Sequence, residues 1–149
     1  MVKQAIWKSV VPAAVIVGLS ASLAFAGPIE DRQAAMKQNG KAMSMLVPII
    51  KGQKPYDAAV VKEAAGMLVE DMKKAAMNFP EGSDKGPPET YAKPEIWSDP
   101  DGFKAAFDKA MAASEALAMT TDEASFKAAF PAVGASCGGC HEKYRRPKD

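Results

Sequence analysis

The chain has 149 residues, 48% of them hydrophobic and 25% charged, with 19 Lys and Arg against 18 Asp and Glu. That length supports one packed core. The near-neutral balance argues against nucleic acid or an anionic membrane surface as the main partner.

Residues 1–26 read as a cleaved secretory signal peptide. Lys3 and Lys8 form a basic start, Val10 to Leu23 is an apolar run rich in small residues, and Ala24-Phe25-Ala26 fits the A-x-A cleavage rule. The apolar run of about 14 residues is too short for a spanning helix, which needs ~20. The expectation is therefore an exported protein with no membrane span after cleavage, residues 27–149 forming a single domain. The leader carries two lysines and no acid, so its removal leaves 17 basic against 18 acidic residues, a net charge of about −1.

Four helical segments are predicted in the remainder, with no strand pattern. The first begins near Glu30 and Asp31, acids suited to a helix N-terminus, and runs to Lys51, with Gly52 as the stop. Its predicted core stripe is Met36, Gly40, Met43, Val47 and Ile50. Pro48 should kink or loosen its last turn. The second segment is capped by Asp57 and runs to Phe79, with Val60 or Val61, Ala64, Leu68, Met72, Ala75 and Phe79 facing inward.

Residues 81–100 hold Gly82, Gly86, Pro87, Pro88, Pro94 and Pro100, which rule out a long helix there. A loop of this length in a small domain tends to be functional or to cover something, and Ile96 and Trp97 should fold back on the core. The third segment opens at Asp99-Pro100 and turns Phe103, Phe107, Ala110, Ser114 and Leu117 inward. Thr120 with Glu123 suggests a capping box for the fourth, whose inner stripe is Phe126, Phe130, Val133, Cys137, Cys140 and Tyr144. Pro131 is expected to bend it. Four helices with short links between one and two and between three and four predict an all-α, up-down-up-down four-helix bundle.

The last stripe carries Cys137-Gly138-Gly139-Cys140-His141, which holds both cysteines and the single histidine of the chain. C-x-x-C-H is the attachment signature of a c-type haem, two thioethers with the adjacent imidazole on the iron. Three rivals compete for the same residues. A redox-active dithiol enzyme would place C-x-x-C at a helix N-terminus beside a sheet. A zinc site would lack a fourth soft ligand. A plain disulfide, which an oxidising compartment would favour, leaves His141 unexplained. One covalent haem c is the reading that uses all three side chains, and a planar group attached there would enter the bundle between helices.

With His141 as proximal ligand, the other face of the iron cannot carry a second histidine. In an up-down-up-down bundle the end of helix four is level with the start of helix one, where Met36 lies on the inward stripe. A bound sulfur gives a low-spin electron carrier with a raised potential; an unbound one gives a five-coordinate iron with a guarded gas site.

Several stretches carry a family resemblance: Arg32-Gln33 followed by Met36; the run from Val47 to Ala59; Lys93 to Trp97; and Val133 to Ser136 leading into Cys137–His141 and Tyr144-Arg145. Over essentially all of the mature chain the sequence resembles the class II c-type cytochromes, the cytochromes c′ and their c-556 relatives. The resemblance implies a periplasmic four-helix bundle, often a homodimer packed through its first two helices. Its haem lies near the ends of helices one and four. By the same resemblance Cys137 and Cys140 match the attachment cysteines, His141 the proximal ligand and Arg145 a basic residue flanking the proximal face. Arg32 matches a basic residue near a propionate, Phe79 an aromatic lining the pocket, and Met36 the position over the distal face. In cytochromes c′ an apolar residue there, sometimes methionine, blocks the iron; in the c-556 type its sulfur ligates. Met36-Lys37-Gln38-Asn39-Gly40 is more similar to the latter. The functions implied are electron transfer with periplasmic redox partners or, as the alternative, capture of nitric oxide or carbon monoxide. Neither is enzymatic turnover.

Overall fold

A computed structural model describes residues 27–147, all helical apart from one isolated bridge. The leader assigned to residues 1–26 lies outside the described residues. Five helices follow in order: α1 Pro28–Ile50, α2 Ala58–Ala76, α3 Glu95–Ser98, α4 Pro100–Ala118 and α5 Glu123–Tyr144. The single-turn α3 arises inside the long loop, so predicted helices three and four are α4 and α5.

Local chemistry accounts for most boundaries. Asp57 caps α2 by accepting from the backbone N–H groups of Ala59 and Val60, and Lys73 and Lys74 sit in its last turn. α2 stops at Ala76, short of Phe79. Asn78 donates its side-chain amide to the Lys74 carbonyl, and the residue before Pro80 is steered away from helical geometry. Gly52 follows α1 with φ +68°, the left-handed conformation glycine tolerates. Pro48 leaves α1 unbroken to Ile50, and its carbonyl takes the N–H groups of Gln53 and Lys54.

Two expectations shift by a residue or two. The capping box of α5 is made by Asp122 and Ser125, each side chain bonding the other's backbone N–H, while the Thr120 hydroxyl donates back to Leu117. The buried stripe of α1 is Ile29, Arg32, Ala35, Ala42, Leu46 and Ile49. Met36, Met43, Val47 and Ile50 flank it, half-buried, and Gly40 is exposed. One residue is 100° of helix, so the predicted stripe marks the edge of the core face and not its centre.

Packing follows the up-down-up-down order. α1 lies along α2, α2 along α4, and α4 along α5. On the fourth side of the square α1 and α5 come less close along their length than the other three pairs, although both feed the first core. At the end holding the α1–α2 and α4–α5 links, Leu46, Ile49, Val61, Leu68, Leu117, Phe126, Phe130 and Val133 form one core fed by all four long helices. Towards the other end a second cluster joins Ala35, Met72, Ala75, Phe107 and Ala110, and α5 supplies none of its members.

Candidate functional site

The last three turns of α5 place Cys137, Cys140 and His141 at the end of the molecule where the second cluster lies. All three are half-buried. Cys137 packs against the edge of the first core. Neither cysteine is in a disulfide. Burial raises both thiol pKa values, and for Cys140 the neighbouring Cys137 adds to it. A dithiol catalyst is favoured by the opposite shift, towards the thiolate. Burial pushes the His141 pKa down, and the charge of Arg145 pushes it further, which favours the neutral imidazole that can ligate a metal. Among the described residues no cluster of three or more His, Cys, Asp and Glu side chains is arranged to hold a bare metal ion.

Met36 stands on α1. It packs half-buried against the second cluster together with Phe79, Phe103 and Met111. A ladder of rings links that cluster to α5. Phe79 meets Phe103 at 4.9 Å between centroids, and Phe103 meets Tyr144 at 5.2 Å, three residues beyond His141. Met36 and these rings therefore border the same cluster.

The Met36 sulfur has a neighbour that sequence reasoning passed over. Asn39, one turn on, directs its side-chain Nδ2 at the Met36 Sδ, 3.9 Å away. Its Oδ1 is buried without a partner. An asparagine in mid-helix, where its propensity is poor, was the available signal.

Arg32 is 4% exposed and clamps the long loop to α1. Its guanidinium donates to the Asn78 carbonyl, to the Ser83 hydroxyl and carbonyl, and to the Thr90 hydroxyl, at 2.6–3.0 Å. It also lies 4.9 Å from the Phe79 ring centroid. All four acceptors are neutral, and Arg32 is in none of the ion pairs among the described residues. A buried cation without an anion is costly, and desolvation lowers its pKa accordingly. A carboxylate beside it, such as a propionate, would relieve that cost.

The loop then ties down the end of α5. Ala92 bridges Arg145, the N–H of Lys93 donates to the Tyr144 carbonyl, and the N–H of Arg146 to the Tyr91 carbonyl. Trp97 bonds the Phe79 and Pro80 carbonyls through its indole N–H. Asp99, capping α4, also accepts from Lys143 Nζ at 2.7 Å and from the Tyr144 hydroxyl at 3.1 Å. Arg145 itself is exposed. The structure thus brings Met36, Phe79 and the Cys137–His141 turns to one end. It sets Arg32 in the strap beneath that end and Arg145 at its rim.

A covalent porphyrin fits this arrangement. Two half-buried thiols and a neutral-favouring imidazole stand on α5, the one wall the second cluster lacks. α1 offers a thioether at the border of the same cluster.

Known proteins point the same way. The family model described as Cytochrome C′ matches residues 27–145. Cytochrome c-556 of Agrobacterium tumefaciens (strain II Chrys) is 42% identical over 125 residues, covering 83% of this chain and all of that one. The crystal structure of cytochrome c′ from Rubrivivax gelatinosus superposes with a TM-score of 0.76 at 38% identity, over 82% of this chain and 99% of that one. A nitric oxide complex of a leucine-to-alanine mutant of cytochrome c′ from Alcaligenes xylosoxidans gives 0.74 at 34% identity, over 83% and 99%.

Proposed function

The chain belongs to the cytochrome c′ family of class II c-type cytochromes, and from that premise we propose that it is an exported, periplasmic one-electron carrier. Its cofactor is one covalently attached haem c. Cys137 and Cys140 hold it by thioethers, His141 is the proximal iron ligand and Met36 the distal one. When bound, the haem supplies an iron centre that gains and loses one electron.

The observations that carry this reading are the C-x-x-C-H turns on α5, at the end of the bundle where α5 adds nothing buried to the second cluster, and the Met36 thioether packed on that cluster from α1. His141 is held towards its neutral, ligating form by burial and by Arg145. Phe79 and Phe103 back the site with apolar rings, and an apolar surround with a sulfur ligand raises the potential. Arg32 offers its buried charge to a propionate while holding the strap. The exposed Arg145 and Arg146 at the rim suit an acidic redox partner, and a homodimer through α1 and α2 accords with the family.

The alternative is a five-coordinate iron that captures nitric oxide or carbon monoxide, with Met36 as an unligated guard. The nitric oxide complex of the A. xylosoxidans relative supports it. Mass mapping of the denatured protein should find the haem on the peptide that contains Cys137 and Cys140. Met36→Ala should turn a low-spin iron into one that binds carbon monoxide readily; an unchanged spectrum rules Met36 out as ligand.

A further inference from the structure

We infer that Asn39 is a positioning residue for the Met36 sulfur, fixing which lone pair faces the iron and drawing electron density from it. The inference rests on the reading of Met36 as distal ligand. Residues three apart lie on one face of a helix, so Asn39 can reach Met36 without distorting α1. Its Nδ2 points at Sδ from 3.9 Å, a separation suited to a large, diffuse acceptor.

The other end of the same carboxamide is the telling part. Oδ1 is buried and unpartnered, one of two such side-chain atoms among the described residues. Turning the amide over would set oxygen against sulfur and bury an unpaired donor, so the hydrogen-bonding network assigns the N–H to Met36. Asparagine is also a poor residue for mid-helix. A leucine here would avoid both penalties. What asparagine alone provides is an N–H at the thioether.

A sulfur has two lone pairs. A donor on one leaves the other for iron and selects one arrangement at the sulfur. The same donor weakens sulfur-to-iron donation, which disfavours the ferric state and raises the potential. The test compares wild-type holoprotein with Asn39→Leu, Asn39→Ser and Met36→Ala. It reads the sulfur-to-iron charge-transfer band, the midpoint potential and far-UV circular dichroism.

Asn39→Leu should keep its helicity, weaken or shift the band, and move the redox equilibrium about threefold to tenfold towards ferric, up to ~59 mV for one electron. Asn39→Ser, which keeps a shorter donor, should recover part of both. If Met36→Ala abolishes the band but Asn39→Leu leaves band and potential at wild-type values, the role of Asn39 is refuted and that of Met36 stands. If Met36→Ala changes nothing, both fall.

Discussion

Arg32 is the residue on which the haem end depends for its shape. A lone arginine near the chain start looks like a solvated charge in sequence, yet it is 4% exposed and makes four hydrogen bonds across more than forty residues of sequence. Ser83 and Thr90, its partners, are themselves buried. Arg32→Met would keep much of the volume and strand those acceptors, each at about 1–3 kcal/mol before relaxation. We expect a net loss of ~2–4 kcal/mol in urea unfolding of the holoprotein and faster proteolysis between residues 80 and 93. An unchanged midpoint would mean that the strap is held by other contacts. That Cys137, Cys140 and His141 share the last turns of the final helix was legible from the motif and its periodicity. Arg32's clamp and Asn39's bond to Met36 were not, because both depend on where a side chain ends in space.

At the scale of elements, caps and breakers wrote most of the boundaries. Asp57 and Asp99 were readable as N-caps, and Pro100 as the first residue of a helix. The box on α5 was misplaced because Thr120-x-x-Glu123 fits the usual pattern, whereas the box that forms has Ser125 where Glu or Gln is usual, and the Thr120 hydroxyl bonds backwards into α4. The α1 stripe was misread by one residue because its apolar arc is broad enough for two parallel rows.

Asp99 joins elements as well as capping one. The Lys143 ammonium holds its carboxyl below the ordinary value of 3.8, helped by the Gly102 N–H and the Tyr144 hydroxyl. The native state therefore stays ionised where the unfolded chain has taken up a proton, so this contribution is full above the unfolded pKa. It is lost as pH falls through the lower native value. Urea midpoints from pH ~2.5 to ~5 should show a shallower rise with pH in Asp99→Asn than in wild type. Parallel curves would show that the Asp99–Lys143 tie carries no linkage.

At the scale of the whole molecule, the two ends of the bundle are built differently. All four long helices feed the first core, and the buried residues of the second cluster come from α1, α2 and α4. The topology was readable from four periodic segments and two short links. The withdrawal of α5 from the second cluster was not, since no residue pattern announces it. No helix among the described residues is long and apolar enough to cross a membrane. A haem bound at Cys137–His141 and faced by Met36 would lie at that end, and the ferric spectrum of the purified holoprotein tests this. A low-spin iron with a sulfur-to-iron charge-transfer band is the predicted result. A high-spin iron without that band, whose ferrous form takes up carbon monoxide at once, would contradict it.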